Sequence, residues 1–174
     1  MTILSTKLLS EAQQELLLNT GLGIVHYNAL TVELFALPIE KIDSENIIIT
    51  SQNAIHALSC LTPANHRIYC VGTKTAQHVI NLGFKVAQTA NSARELAHII
   101  TTDISKNEPF TYLCGEHRRD ELPAALLASK IDYKEVKVYR TVMVERAYRR
   151  IFDAVLCYSP RGVYAFAKAN PKQT

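Results

Sequence analysis

Short apolar runs rich in β-branched residues alternate with helix-forming segments along almost the whole sequence. Typical pairs are "NIIIT" with "SQNAIHALSCL" and "RIYCVG" with "TKTAQHVINLG". Because parallel strands need a long connection, usually a helix, this alternation predicts an α/β fold with parallel sheets. A chain of 174 residues is long enough for one large or two small domains of this class. The stretch "ALTVELFALPIEKI" interrupts the pattern, and we interpret it as an extended connector.

Composition and charge argue against several functional classes. No apolar run approaches the roughly 18 residues of a membrane helix, and no signal-peptide pattern opens the sequence, so we expect no membrane partner. A formal net charge of +3 is mild and predicts no nucleic-acid partner. The 4 cysteines include no CxxC pair, and the 6 histidines include no i, i+4 pair. We therefore expect free thiols, a cytoplasmic location and no metal site.

The sequence contains an internal repeat of β-α units. "IIITSQNAIHAL" from Ile47 resembles "VLCYSPRGVYAF" from Val155. Two further pairs follow at nearly the same separation along the chain: "ILSTKLLSEAQQELL" with "YLCGEHRRDELPAALL", and "VHYNALTVE" with "KVYRTVMVE", which aligns Tyr27 with Tyr139. Three ordered matches predict two related domains. A partner for "YCVGTKTAQHVINLGF" would begin just beyond the last residue, so we expect one domain to be incomplete.

Five predicted strand ends carry small, hydroxylated or basic residues. In parallel α/β sheets, ligands bind beyond the carboxyl ends of the strands, where helix N-termini offer free N–H groups to carboxylates or phosphates. Simple helix capping is the plain alternative for each strand end, although lysine or arginine occurs at three of the five. The candidate binding residues are Thr6, Lys7, Ser51, Gln52, Asn53, Thr73, Thr75, Gly115, Ser159, Arg161 and Gly162.

Tyr139 is the candidate for chemistry, because it lies in a long extended run beside the expected cleft between the two halves. Packing at the end of a strand is the alternative. Arg146, Arg149 and Arg150 form a basic face near the same run, which is either solvated or attracts an anionic ligand. "GTKTA" is not a P-loop and no GxGxxG follows a strand, so nucleotide or flavin binding is a weaker alternative.

The motifs, taken in order, resemble those of the uroporphyrinogen-III synthase family. They are the Thr6-Lys7 strand end, "IITSQNAI", "CVGTKTA", "LCGEHRRDEL", "VYRT" and "CYSPRGV", and they span essentially the whole sequence. The resemblance implies two flavodoxin-like parallel-sheet domains joined by a two-stranded linker. The discontinuous, incomplete first domain would comprise residues 1–36 plus 147–174. The linker strands would be 37–44 and 139–146, and the second domain 45–138.

The resemblance also implies an activity. Such enzymes cyclise hydroxymethylbilane to uroporphyrinogen III, with inversion of ring D and loss of water, in haem biosynthesis and without a metal or cofactor. The candidate binding residues would hold the carboxylates of this small-molecule substrate, and Tyr139 would be the catalytic residue that helps the hydroxyl group leave. Arg161 and Lys7 stand where the family often has serine and arginine, and both keep or add hydrogen-bond donors.

Two further expectations follow. We expect a monomer, with association through an exposed sheet edge if the chain naturally ends at Thr174. The alternative function is a catalytically impaired or non-catalytic anion-binding module of the same fold.

Overall fold

The computed structural model describes residues 1–36, 42–103 and 108–173. The chain divides into two compact units: unit 1 is Met1–Val32 with Thr141–Thr174, and unit 2 is Glu33–Arg140. The predicted α/β class with parallel sheets is confirmed. The finer domain bounds and the linker strands stay predictions, and residues 37–41 of the first predicted linker strand lie outside the described residues.

Nine strands and five α-helices are described. In chain order they are β1 (Thr2–Ser5), α1 (Glu11–Leu18), β2 (Gly23–His26), β3 (Leu30–Leu34), β4 (Asn46–Ile49), β5 (Arg67–Val71), α2 (Thr73–Asn81), β6 (Lys85–Ala90), α3 (Ala93–Asp103), β7 (Phe110–Gly115), α4 (Glu121–Ala128), β8 (Tyr133–Met143), β9 (Ala154–Leu156) and α5 (Pro160–Ala169). Short 3₁₀ helices cover Gln52–Cys60, Pro63–Asn65 and Pro171–Gln173.

The strands form two sheets. The smaller has the order β2-β1-β9 and is parallel throughout. The larger has the order β3-β8-β7-β4-β5-β6, and its strands from β8 to β6 are parallel. The N–H of Val144 donates to the carbonyl of Ala29, whereas the N–H of Phe35 donates to that of Val138. Going from Ala29 to Phe35, the bonded partner changes from Val144 back to Val138, so β3 and β8 run antiparallel.

The side chains of the larger sheet face its two sides alternately and form two hydrophobic cores, one on each face. Ile47 and Ile49 of β4 join a cluster with the 3₁₀ helix Gln52–Cys60 and α2. Ile48 points to the opposite face, where it packs with α3 and α4. Successive side chains of a strand face opposite ways, so a continuous apolar run is what a strand buried on both faces requires. The smaller sheet has its own cluster, in which Leu4 contacts residues of α5.

The internal repeat corresponds to a shared strand order. Its three matches pair β1 with β7, β2 with β8 and β9 with β4, and the two sheets place these strands in the same sequence, β2-β1-β9 and β8-β7-β4. The connections agree as well, since residues 6–10 separate β1 from α1 and residues 116–120 separate β7 from α4. α1 begins after its cap Ser10, as the pattern "SEAQQELLLNTG" predicts. α4 begins at Glu121 and not directly after Gly115, so a helix predicted to start at Glu116 is wrong at its first turn.

The predicted helix "SQNAIHALSCL" forms a 3₁₀ helix over Gln52–Cys60 instead of an α-helix. Its first and last turns close with bonds of the i to i+3 type, from Ala54 to Ser51 and from Leu61 to Leu58. Three residues per turn place Ala54 and Ala57, both fully buried, on one face against the sheet.

Within the described residues, none of the helices combines the length and the apolar character that crossing a membrane requires.

We predict that Leu113→Ala lowers the free energy of unfolding by about 2–5 kcal/mol, because Leu113 is fully buried in the larger sheet. The matched control is Leu127→Ala in the same unit, whose side chain is 72% exposed, and it should change stability by no more than about 0.5 kcal/mol. Urea denaturation followed by circular dichroism measures both. Equal effects of the two variants would contradict the assigned core.

Candidate functional site

A cavity of about 410 Å³ lies in unit 2 at the carboxyl ends of β4, β5 and β7. After β4 the chain continues to β5 and β6 on one side, and it then returns to β7 on the other side. The cavity therefore lies where the strand order reverses, which is the usual ligand position in open α/β sheets. We call it the unit 2 cavity. Its polar lining comes from Thr50, Ser51, Asn91, Ser92, Tyr112, His117, Arg118, Arg119 and Tyr139.

Tyr139 reaches this cavity because of two backbone features. The register between β7 and β8 shifts by one residue at the Cys114/Gly115 position, so that Gly115 pairs with Tyr139. Such a bulge redirects the side chains that follow it. A Cβ atom on Gly115 would lie 2.7–2.9 Å from Cζ, Cε2 and the hydroxyl oxygen of Tyr139. The tyrosine ring thus packs directly on the glycine backbone, and only glycine leaves room for it.

The end of β4 contributes hydroxyl groups. Thr50 Oγ1 lies 2.7 Å from the hydroxyl oxygen of Tyr112, which is itself buried. Burial raises the pKa of Tyr112 to about 12, and the hydrogen bond with Thr50 acts in the opposite direction. Ser51 caps the 3₁₀ helix by accepting a hydrogen bond from the N–H of Asn53 at 3.3 Å. Tyr112 is therefore a neutral wall of the cavity, and Ser51 keeps a hydroxyl proton to donate.

The two adjacent arginines at the end of β7 differ in their electrostatic environment. Arg118 forms ion pairs with Asp120 and Glu135, and these hydrogen bonds raise its pKa. Arg119 is exposed and has no ion-pair partner among the described residues. Arg119 is therefore the cation of the cavity that is available to an anionic ligand.

The first turn of α3 closes another side of the cavity. Ser92 Oγ accepts a hydrogen bond from the N–H of Glu95, and the Glu95 carboxylate accepts one from the N–H of Asn91. These reciprocal bonds resemble a capping box and satisfy the backbone there. The side chain of Asn91 and the hydroxyl proton of Ser92 are left to meet a ligand.

Four of the predicted binding residues of unit 2 lie outside the lining of this cavity: Gln52, Asn53, Thr73 and Thr75. The first three are exposed on helical first turns, and Thr75 is buried in the first turn of α2. Gly72, the residue just before α2, is its N-cap; it has a φ of +88° and no side chain that could cap the helix. The first-turn N–H groups of α2 are therefore without a capping side chain, next to Val71 of the cavity.

Five predicted residues belong to unit 1, and four of them surround the start of α5. Ser159 accepts a hydrogen bond from the N–H of Gly162 at 3.1 Å. A Cβ atom on Gly162 would lie 3.2 Å from Ser159 Oγ and 3.7 Å from Thr6 Oγ1. Arg161 donates to the carbonyl of Thr141 at 2.7 Å. Lys7 lies apart, with its Nζ 5.9 Å from the centre of the Tyr158 ring.

Sequence reasoning missed Arg119, Asn91 and Tyr112 as lining residues of the unit 2 cavity. Asn91 follows β6 as directly as Ser51 follows β4, so the rule applied to the other strand ends would have found it. Arg119 could not be separated from Arg118 by sequence, because only the folded chain shows which arginine the carboxylates neutralise.

A larger cavity, of about 730 Å³, lies at the opposite, amino-terminal edge of the sheet. Its arginine, Arg67, is already paired with Glu108 at 2.9 Å and with Glu45 at 3.7 Å. Lys85 also lines this cavity and has no ion-pair partner among the described residues. The unit 2 cavity is the better candidate site because it lies at the carboxyl ends of the strands, where ligands bind in open α/β sheets. In the described ranges, no three histidine, cysteine, aspartate or glutamate side chains are grouped as metal ligands would be.

Comparison with known proteins identifies relatives. The family model described as Uroporphyrinogen-III synthase HemD matches residues 13–174. The uroporphyrinogen-III synthase of Saccharomyces cerevisiae is 30% identical over 129 residues, which cover 63% of this chain and 47% of the yeast protein. The chain thus spans about half the length of this curated relative.

Solved structures show the same fold. The crystal structure of uroporphyrinogen-III synthetase from Helicobacter pylori matches with a TM-score of 0.58 and 19% identity, over 84% of this chain and 64% of that chain. A mutant uroporphyrinogen III synthase from Thermus thermophilus matches with a TM-score of 0.67 and 12% identity, over 100% of this chain and 79% of that chain.

We predict that Gly115→Ala costs about 1–3 kcal/mol of stability, because the new methyl group collides with the Tyr139 ring. In a Tyr139→Ala background the same substitution should cost much less, since the ring is gone. Urea denaturation of the four proteins in this double-mutant cycle measures the coupling. An equal cost in both backgrounds would show that the ring does not rest on Gly115.

We also predict a loss of stability at high pH that depends on Tyr112. In the unfolded chain a tyrosine releases its proton near its ordinary pKa of about 10, whereas the buried Tyr112 holds it until about 12. The stabilisation is therefore complete below pH 10 and is lost as pH rises through 12. Urea midpoints between about pH 8 and pH 11 should fall less steeply for Tyr112→Phe than for the wild type.

The control for this pH series is the variant Tyr164→Phe, because Tyr164 is 59% exposed. This variant should show the same fall of the urea midpoint with pH as the wild type. If the urea midpoint of Tyr112→Phe fell with pH as steeply as that of the wild type, the proposed effect of burying the Tyr112 hydroxyl would be contradicted.

Proposed function

Because the chain belongs to the uroporphyrinogen-III synthase family, we propose that the protein cyclises hydroxymethylbilane to uroporphyrinogen III, with inversion of ring D and loss of water, in haem biosynthesis. The observation that carries this proposal is the unit 2 cavity, which joins a tyrosine hydroxyl and an unpaired arginine at the point where the strand order reverses.

The polar groups of the cavity suit a substrate that carries carboxylates. Arg119 supplies a positive charge that no carboxylate of the described chain neutralises. Ser51, Asn91 and Ser92 add neutral donors at the strand ends. A charge-assisted hydrogen bond is roughly twice as strong as a neutral one, so Arg119 would contribute most to holding a carboxylate here. Arg118, fixed by Asp120 and Glu135, would shape the wall instead.

Tyr139 is the proposed catalytic residue. The reaction begins when the hydroxyl group on the hydroxymethyl carbon of the substrate takes up a proton and leaves as water. This step produces an azafulvene cation, and ring closure later releases one proton. A phenol hydroxyl can donate a hydrogen bond to the departing oxygen without being a strong acid. The Tyr139 ring packs directly on the backbone of Gly115, and a packed ring costs less entropy to place as a donor than a free one. Ring closure through a spiro intermediate then gives the inverted isomer.

The residues at the start of α5 form a second proposed binding group. Ser159 and Gly162 adjoin Thr6, and Arg161 lies in the first turn of the same helix. The positive end of the helix dipole and the Arg161 guanidinium would together favour a carboxylate. The exposed residues Lys7, Gln52, Asn53 and Thr73 are proposed as outer substrate contacts, whereas Thr75 is buried.

The proposed cytoplasmic location rests on the state of the cysteines. All four cysteines are free, and Cys70 and Cys114 are buried. Free thiols fit a reducing compartment, which supports the cytoplasm. The monomeric state stays a prediction.

The function is tested by supplying hydroxymethylbilane from porphobilinogen deaminase and separating the product isomers by chromatography. We expect isomer III from the wild-type chain. Tyr139→Phe should lower kcat by about tenfold, the effect of losing one hydrogen bond of about 1.4 kcal/mol. Arg119→Gln should raise KM more than it lowers kcat, because the charge binds substrate and transition state alike.

Tyr164→Phe, which alters an exposed ring outside the cavity, is the control and should be fully active. Formation of uroporphyrinogen I alone, the isomer without inversion of ring D, at the spontaneous rate would contradict the proposed activity. An unchanged kcat in Tyr139→Phe would remove Tyr139 from the mechanism while leaving the activity in place.

A further inference from the structure

A short irregular segment of unit 1, residues 146–151, carries three arginines and no acidic residue. It connects the end of β8 to β9 and reads Arg-Ala-Tyr-Arg-Arg-Ile. We call it the arginine loop. The side chains of Arg146, Arg149 and Arg150 are exposed, and so is Ile151.

Two of the three guanidinium groups rest on aromatic rings. The Cζ of Arg146 lies 5.5 Å from the centre of the Tyr148 ring, and that of Arg150 lies 5.3 Å from the centre of the Phe152 ring. The two rings pack edge to face, with centres 5.1 Å apart. Phe152 is buried, and Tyr148 also contacts Tyr27 of the core. The aromatic pair is therefore a fixed support with one guanidinium on each ring.

Two side-chain amides hold the backbone of the loop. Asn170 donates to the carbonyl of Arg146 and accepts from the N–H of Tyr148, both at 2.8 Å. Gln173 makes the same pair of bonds four residues further on, donating to the carbonyl of Arg150 at 2.8 Å and accepting from the N–H of Phe152 at 3.4 Å. An irregular segment that is fastened in this way loses little further entropy when a ligand binds.

The charges of the loop are uncompensated. None of the three arginines has an ion-pair partner within the described ranges. Glu145, the nearest acidic residue before the loop, pairs with Lys168 at 2.6 Å. Asp153, which follows the loop, accepts a hydrogen bond from the backbone N–H of Thr2 at 2.6 Å.

We propose that the arginine loop is an anion-binding site, built from other residues than those of the unit 2 cavity, for a ligand that carries two or more carboxylates. A guanidinium presents a planar fork of N–H donors that matches a carboxylate in a bidentate pair. Stacking uses the face of the guanidinium and leaves its N–H edge free. Arg146 and Arg150 each receive one carboxylate, and Arg149 adds a third charge.

The backbone around the loop favours carboxylate over phosphate. Phosphate sites typically use consecutive backbone N–H groups at a helix start or in a concave nest. Here the N–H groups of Tyr148 and Phe152 already donate to Asn170 and Gln173. The loop stands at no helix start, and none of its residues has the positive φ of an αR-αL nest. The planar guanidinium forks are therefore its best-placed donors.

The test uses the whole chain, labelled with nitrogen-15, and mellitate, a benzene ring that carries six carboxylates. Amide signals of the arginine loop should shift on titration, and the fitted Kd reports affinity. Arg146→Gln and Arg150→Gln should each weaken binding by about tenfold, as expected for loss of a charge-assisted pair. Arg94→Gln is the matched control: it removes an arginine that is 83% exposed in the other unit, and it should leave the Kd unchanged.

Two variants separate a built site from diffuse attraction. Arg150→Lys keeps the charge but removes the fork, so it should weaken binding nearly as much as Arg150→Gln. Gln173→Leu keeps every charge but frees the loop, and it should weaken binding by about threefold. Circular dichroism checks that Gln173→Leu leaves the fold intact.

Three results would overturn the proposal: no loop shifts with mellitate, equal weakening by Arg94→Gln, or wild-type affinity in Arg150→Lys. Tripolyphosphate that binds as tightly as mellitate would overturn the carboxylate assignment. An octaglutamate peptide that binds more tightly than mellitate would support the site and assign its carboxylates to a polypeptide. Because these measurements follow binding alone, their outcome is independent of the proposed catalytic function.

Discussion

The parallel pairing of β4 with β7 is the contact on which the candidate site depends. It joins Asn46 to Phe110 and Ile49 to Leu113, residues that lie far apart in the chain. The pairing is reinforced at its amino end, where Ser44 and Thr111 hydroxyls meet at 2.7 Å and Asn46 donates to Glu108 at 3.0 Å. At its carboxyl end the connections from the two strands diverge, and the space between them is the unit 2 cavity. Without this pairing, the end of β4 and the end of β7 would share no surface.

The repeat shows how one topology yields two different tyrosine environments. Tyr27 and Tyr139 hold equivalent places beside β1 and β7. Tyr27 follows a regular register, is buried, and has a hydroxyl without a partner within the described residues; burial raises its pKa. Tyr139 follows a bulge and lies over Gly115, where the repeat aligns Thr6 in the other unit. One extra residue in β8 and one missing side chain on β7 thus separate a core tyrosine from one that lines a cavity.

Much of the local structure could be predicted from sequence. Ser10 and Gln13 form a reciprocal cap that starts α1, and Gly83, with a φ of +85°, ends α2 as its position in the pattern predicts. The three-isoleucine run of β4 is buried on both faces, as a central parallel strand requires. The prediction failed at Gln52–Cys60, because an α-helix and a 3₁₀ helix share the same apolar pattern over so few turns. Packing of Ala54 and Ala57 against the sheet decided between them.

The sequence by itself determined the class of fold, the repeat, the family and the strand ends at which ligands could bind, because periodicity, caps and motifs are local properties of the chain. Only the tertiary structure decided which of those strand ends share a cavity. It brought Ser51, Gly115 and Tyr139 together and left Thr75 buried in the first turn of α2. It also decided which arginines are neutralised, since Arg118 meets two carboxylates while Arg119 meets none in the described chain. These outcomes depend on strand order, register and a bulge, which are set by contacts between distant residues that no local pattern records.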